Sequence, residues 1–315
     1  MKEKIIFIIG PTAAGKSAIA VSLSKKLNSE IISCDSMQVY KSMDIITSKP
    51  PAVLRRSIPH HLIGIIAPGK EYNVSRYYRD TGRKARDIIK RGKLPLIVGG
   101  TGLYMSILID GLFKDSASNK TIRNRLYKQA QERGNRYLYD KLQAVDHVAA
   151  GRIHPNDTKR IVRALEVYEA TGKPISQLQE QRSGLSKKYD IKIFGLNMER
   201  QELYRKIDER VDKMFAQGLL EEVKRLLKMK LSKTASYAIG INELKGYFGG
   251  AYDLEEAKRL IKRNTRQYAK RQMTWFKKDK RINWVEIKDK ETPAAIANRI
   301  KRDSDLFLSS KAAKK

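Results

Sequence analysis

Gly10-Pro11-Thr12-Ala13-Ala14-Gly15-Lys16-Ser17 is the stretch on which the fold turns. It satisfies the phosphate-loop pattern G-x-x-x-x-G-K-[ST] at every fixed position. An unbroken apolar run from Ile5 to Ile9 precedes it, as a parallel strand buried on both faces requires. After it, Ser17, Ala18, Ile19, Ala20, Val21, Leu23 and Leu27 place apolar side chains at helical spacing. The loop therefore joins a strand to a helix N-terminus. Its glycines let backbone amides converge on one point, where the helix dipole favours an anion. All eight residues, Gly10, Pro11, Thr12, Ala13, Ala14, Gly15, Lys16 and Ser17, are phosphate-binding candidates. Lys16 adds a positive charge, and the Ser17 hydroxyl is the candidate ligand of a Mg²⁺ ion. A bound di- or triphosphate follows from this stretch; its identity does not.

Charge is the second clue. Among 315 residues, 65 Lys and Arg stand against 34 Asp and Glu, a net of +31. Such an excess repels itself and suits a polyanionic partner (RNA, DNA or an anionic membrane) unless it reflects a basic proteome or an adaptation to salt. An apolar content of 41% is enough for a large core and one or two domains. No apolar run reaches the length of a membrane span, and the one at Ile5 leads into the phosphate loop, so it is no signal peptide. The single cysteine, Cys34, excludes an internal disulfide and fits a reducing, cytoplasmic setting. Nothing in the sequence asks for an obligate dimer, so a monomer is expected.

Further along, Glu30 to Asp35 reads as a second strand ending in a carboxylate. Carboxyl ends of parallel strands face the ligand crevice, so Asp35 belongs near the phosphate loop. There it can hold Mg²⁺ through water, act as a general base, or simply cap the next turn. His60 to Ile65 reads as a third strand; its adjacent histidines point to opposite faces and do not share a metal easily. Val74 to Arg91 is an amphipathic helix, and Lys93 to Val98 a fourth strand running into Gly99-Gly100-Thr101-Gly102. That second glycine-rich turn belongs at the same crevice, with the Thr101 hydroxyl able to bond a phosphate oxygen.

From Asp115 to Gln181 the pattern turns helical. Lys159, Arg160 and Arg163 lie on one helix face, opposite Ile161, Val162 and Leu165; the basic face is either merely solvated or meets a phosphate backbone. Tyr189 to Leu196 returns to the sheet. The helix after Arg200 offers an arginine to clamp phosphates, and spacing does not choose between Arg205 and Arg210. Lys262 to Lys278 interleaves basic residues with Tyr268, Trp275 and Phe276, and Arg263, Arg266, Lys270 and Lys277 share a stripe. Arginines for phosphates with rings for stacking are how unpaired RNA is held. Ile282 to Ile287 closes the core as a strand, and residues 300–315 are expected to be a frayed basic tail.

Five segments together resemble one family, the bacterial tRNA dimethylallyltransferases, or tRNA isopentenyltransferases. They are GPTAAGKS, CDSMQVYKSMDI with the following TSKP, GGTGLY, HPNDTKRIVRALEVYEATGKP and TRQYAKRQMTWF, in the family's order across most of residues 4–287. The resemblance implies an α/β, P-loop NTPase-like core, a parallel sheet flanked by helices, with a helical tRNA-binding insertion. The core would take residues 1–114, 189–200 and 265–290; residues 115–188 and 201–264 would be helical, one or both forming the insertion. The implied activity transfers a dimethylallyl group from dimethylallyl diphosphate to N6 of adenosine 37, next to the anticodon, in tRNAs reading codons that begin with U. The implied partners are the tRNA anticodon stem-loop and the prenyl diphosphate, with Mg²⁺ as cofactor and no membrane.

By the same resemblance Asp35 is the general base, Thr101 contacts the bridging oxygen of the diphosphate, and Arg210 clamps it. Asp35, Ser36, Met37, Gln38, Thr101, Arg123, Lys159, Arg160, Ile161, Val162, Arg163, Arg266, Lys270, Arg271, Gln272 and Trp275 fall where the family touches tRNA. Three positions depart from the pattern: Ser48 where Ala is frequent, a change expected to be harmless; His147 where Pro is usual; and Ile241-Asn242 in place of a Tyr-Lys or Tyr-Arg pair. Two other functions use the same residues differently. One is an ATP-dependent small-molecule kinase in which Asp35 activates a hydroxyl; the other is a basic nucleic-acid-binding module with a degenerate nucleotide site.

Overall fold

The computed structural model describes residues 2–113 and 119–309. They fall into two compact units, Met1–Leu108 with Lys188–Lys315, and Ile109–Lys187. The strands are β1 (Glu3–Ile9), β2 (Ser29–Cys34), β3 (His60–His61), β4 (Leu94–Gly99), β5 (Tyr189–Met198) and β6 (Ile282–Ile287). The helices are α1 (Lys16–Leu27), α2 (Ala52–Ser57), α3 (Val74–Lys90), α4 (Gly102–Asp110), α5 (Lys120–Val145), α6 (His147–Ala150), α7 (Thr158–Thr171), α8 (Ile175–Glu180), α9 (Arg200–Ala216), α10 (Leu219–Leu227), α11 (Ile241–Phe248), α12 (Leu254–Phe276) and α13 (Pro293–Ser309).

In the first unit all six strands form one parallel sheet, ordered β3-β2-β4-β1-β5-β6. The apolar run of β1 is the reason it lies near the centre: Ile5 to Ile9 are buried on both faces. Ile6 and Ile8 on one face pack with Ile19 and Leu23 of α1 and with Ile296 and Ile300 of α13. The chain leaves β1 toward β2 on one side, while β5 joins β1 on the other. A crevice opens beyond the strand ends at such a reversal, and the loop after β1 stands at it.

Two expectations are corrected here. The third strand ends at His61, not Ile65, because Leu62 and Gly64 take φ of 63° and 60° and turn the chain away. Residues 300–309 are helical rather than frayed. The buried Ile296, Ala297 and Ile300 hold α13 against α1, and Lys4 Nζ donates to the carbonyls of Phe307 and Leu308 at 2.7 and 2.8 Å. The remainder of that expected tail, 310–315, lies outside the described residues.

A buried carboxylate ties the edge strand down. Glu30 of β2 accepts from His61 Nε2 at 2.7 Å, Arg91 Nη2 at 2.6 Å and Lys93 Nζ at 3.0 Å. Burial opposes its ionisation, but these three donors outweigh it and hold the carboxyl at about 2. Cys34, at the end of β2, is fully buried, and desolvation pushes its thiol up to about 12.

The second unit is all helical. Its core combines Leu126, Leu138 and Leu142 of α5 with Ile161, Val162 and Leu165 of α7 and Leu178 of α8. Asp146 caps α6 and accepts from the Ser176 amide and hydroxyl at 2.9 and 2.7 Å, which locks α8 in place. Where the chain enters and leaves, Leu112 bridges to Ser183 and Ser186 Oγ donates to the Ile109 carbonyl at 2.7 Å, so the two connections run side by side. Residues 201–264 belong to the first unit. Among the described residues, no helix is long and apolar enough to cross a membrane.

Candidate active site

The loop after β1 turns through Ala13 at φ 64° and Gly15 at φ 77°, the latter capping α1. Glycine is favoured at such a cap because a Cβ is strained there. Lys16 Nζ donates to the Gly10 and Pro11 carbonyls at 3.0 and 2.6 Å. Burial, and then the nearby Arg210 charge, pull its pKa down to about 7, with Asp35 partly opposing.

Asp35 follows β2 as expected. Its Oδ1 accepts the amides of Met37 at 2.8 Å and Gln38 at 3.3 Å, so this carboxylate also caps the turn. Gln38 Oε1 accepts from Ser33 Oγ, and Nε2 reaches the carbonyls of Thr47 and Ser48. Arg210 of α9 enters the site while Arg205 stays outside. Arg210 donates through Nε to Ser48 Oγ at 2.8 Å and through Nη1 to Thr12 Oγ1 at 3.3 Å. Arg205 is instead gripped by Glu202 and Glu209 along its own helix. Burial lowers the Arg210 pKa, with the Asp35 charge partly offsetting it. The Ser48 hydroxyl, expected to be a neutral replacement for Ala, is therefore Arg210's acceptor.

The second glycine-rich loop packs closely against α12. A Cβ on Gly100 would stand 2.3 Å from Gln272 Nε2, and one on Gly102 2.4 Å from Trp275 Cδ1. These glycines let α12 approach, while Gly99 and Gly100 also line the cavity over the phosphate loop. Gln272, only 6% exposed, accepts the Thr12 amide and donates to the Gly100 carbonyl, both at 2.8 Å. It braces the two glycine loops. Thr101 Oγ1 accepts the Ser36 amide at 3.1 Å.

Two cavities meet at this point. One, of about 910 Å³, runs over the phosphate loop past Lys16, Ser17, Asp35 and Arg210. The other, of about 420 Å³, is walled by Ser36, Met37, Tyr237, Ile239, Thr265 and Arg271. Thr12, Asp35, Thr47, Ser48, Arg210, Met214 and Tyr268 line both, forming the partition between them. Several wall residues carry no motif in the sequence. Arg55, Lys206 and Lys213 line the first cavity, and Tyr237 exposes its ring in the second. Arg55 lies on α2 and Lys206 and Lys213 on α9, where an excess of charge was the only hint; Tyr237 lies in the turn before α11, with no pattern signal to mark it.

Along α12, Lys270 and Arg271 are exposed, and Trp275 keeps 39% of its surface while its Nε1 donates to Ser106 Oγ at 3.3 Å. Arg266 is paired with Asp208, bonded at 2.8 and 2.7 Å. In the helical unit, Lys159 and Arg160 are exposed, the latter paired with Asp157. Arg123 and Arg163 both bind the fully buried Glu166, at 2.8 and 3.0 Å. Ile161 and Val162 are buried in the core of α5 and α7.

A phosphate loop at the reversal point of a parallel sheet, opening onto a basic cavity with a carboxylate and an arginine in its wall, defines a P-loop α/β protein built to handle a phosphorylated substrate. Comparison with known proteins narrows this. The chain matches the IPP transferase family over residues 38–279 and the isopentenyl transferase family over residues 3–53. It is 48% identical to the tRNA dimethylallyltransferase of Carboxydothermus hydrogenoformans, across 95% of this chain and 97% of that one. It is 47% identical to the enzyme of the same name from Geobacter sulfurreducens, across 90% and 92%. Among solved structures, a eukaryotic dimethylallyltransferase acting on tRNA superposes with a TM-score of 0.82 at 31% identity, covering 99% of this chain and 81% of that one. The chain belongs to the tRNA dimethylallyltransferase family.

Proposed function

We propose that this protein transfers the dimethylallyl group of dimethylallyl diphosphate to N6 of adenosine 37 in tRNA, releasing diphosphate. The observation that carries the reading is the shared partition: one cavity over the phosphate loop, a second beside α12, with Asp35 and Arg210 facing both. The donor diphosphate would lie on the loop amides and Lys16, and the everted adenine would enter the second cavity. The N6–C1 bond forms as the C1–O bond breaks, the electron pair leaves with the diphosphate, and the N6 proton passes to Asp35. An exocyclic amine is a weak nucleophile, so a carboxylate on its proton helps. Lys16, the loop amides and Arg210 take up the charge that grows on the leaving oxygens. Thr101 serves as a support for the Ser36 turn in addition to any contact with the diphosphate.

The Ser17 hydroxyl and Asp35 carboxylate open on one cavity. One hydroxyl and one carboxylate, completed by substrate phosphates and water, are a donor set that suits Mg²⁺. When bound there it would neutralise charge on the diphosphate. Lys159, Arg160, Lys270, Arg271 and Trp275 are the exposed residues we assign to tRNA, and the enzyme is taken to act as a monomer in the cytoplasm.

Incubation with radiolabelled dimethylallyl diphosphate and unmodified tRNA tests this. Label in the tRNA is the expected result. Absence of label, with γ-phosphate transfer from ATP to a small molecule, would establish a kinase instead; neither activity, with tRNA retained, would leave a binding module.

A further inference from the structure

One buried carboxylate has no part in the chemistry just described. Glu222, in the first turn of α10, is 4% exposed. It accepts the Asp44 amide at 3.0 Å, the Ile45 amide at 2.9 and 3.1 Å, and the Ile46 amide at 2.8 Å. Its place near a helix N-terminus favours the anion. Three consecutive amides on one carboxylate leave that stretch of backbone little freedom.

The other ends of the same peptide groups reach the active site. The peptide group that gives Ile45 N–H to Glu222 carries the Asp44 carbonyl, which accepts the Lys49 amide at 2.9 Å. The group that gives Ile46 N–H carries the Ile45 carbonyl, which accepts the Ser48 amide at 2.9 Å. Hydrogen bonds chained through a peptide polarise one another, and fixing one end fixes the other. Ser48 is held at φ 47°, a conformation L-residues rarely adopt, and from it the hydroxyl accepts Arg210 Nε. Arg210 lies on α9, and the short turn at Gln217 and Gly218 joins that helix to α10.

We propose that Glu222 is a positioning residue for the donor site: through the peptide groups it holds, it sets Ser48 against Arg210, and so fixes the grip on the diphosphate. The inference rests on the function proposed above. Glu222→Gln keeps the shape but turns one acceptor into a donor that faces backbone N–H groups, leaving them unsatisfied.

The test compares wild type with Glu222→Gln in three measurements: KM for dimethylallyl diphosphate, Kd for inorganic diphosphate by calorimetry, and Kd for tRNA. We expect KM and the diphosphate Kd to rise about tenfold or more, with the tRNA Kd within twofold. In a double-mutant cycle with Ser48→Ala, the two effects on diphosphate affinity should be less than additive, since both act on Arg210. A lower thermal midpoint with KM and both Kd values unchanged would overturn the proposal, as would equal weakening of diphosphate and tRNA. Failure of wild type to prenylate tRNA would instead strike the proposed function, while the calorimetric comparison would still decide the role of Glu222.

Discussion

Asp35 shows why a single residue must be varied with care. Its Oδ1 holds the amides of Met37 and Gln38, so truncation to Ala collapses a turn as well as removing a base. Asp35→Asn keeps an acceptor for those amides and loses the proton acceptor. It should bind tRNA like wild type and turn over about 10²- to 10⁴-fold more slowly, measured in single-turnover assays; wild-type rates would refute the assignment. Lys16 makes a prediction about pH. With its pKa at about 7 in the free protein, a bound diphosphate must raise it, so binding takes up a proton above that pH. Diphosphate affinity should therefore fall as pH rises through 7 and beyond. Calorimetry in buffers of different ionisation enthalpy reads the proton directly, and no uptake at pH 8 would rule the mechanism out. The phosphate loop was legible because its spacing is fixed by the chemistry it performs. Arg210 was not separable from Arg205, since both lie on one helix and only the tertiary fold decides which one turns inward. For Ile161 and Val162 the helical period already marked a buried face, and both are buried.

At the scale of elements, α12 divides along its length. Its basic stripe was visible in the sequence, but the partners of each charge were not, because Asp208 lies far away in the chain. Lys270→Ala should lower the slope of log K against log salt for tRNA binding by roughly 0.7 to 0.9, whereas Arg266→Ala should leave that slope unchanged and lower stability through the lost pair with Asp208. A reversed outcome in filter binding would restore Arg266 to the RNA surface. The Glu30 cluster gives the matching prediction for the sheet. Its folded-state pKa is depressed, so its stabilisation is present above the ordinary carboxylate value and is lost as pH falls toward about 2. Glu30→Gln should cost about 2 kcal/mol at neutral pH and little in strong acid, as read from denaturation midpoints. Strands with continuous apolar runs could be read directly. Two-residue β3 could not, since left-handed backbone at Leu62 leaves no mark in hydrophobic periodicity. Helix α13 was hidden by its charges, although Ile296 and Ile300 are spaced as a helix requires.

For the molecule as a whole, the excess charge pointed to a polyanion before any fold was known. Composition cannot say where one unit stops, however. The boundaries follow from contacts such as the Leu112–Ser183 bridge and the Ser186–Ile109 hydrogen bond, between residues far apart in sequence. Because those two connections lie side by side, residues 113–182 should be replaceable by a short Gly-Ser link. The shortened protein should still bind inorganic diphosphate with wild-type affinity and lose at least tenfold in tRNA affinity. Unaltered tRNA binding would show that the helical unit is not needed for it. Cys34 has a practical corollary. The chain holds one sulfhydryl, fully enclosed and, with its pKa at about 12, almost entirely protonated at neutral pH. Maleimide dyes should therefore ignore the native protein, and a pair of cysteines engineered onto the surface would report distances by energy transfer against a silent background.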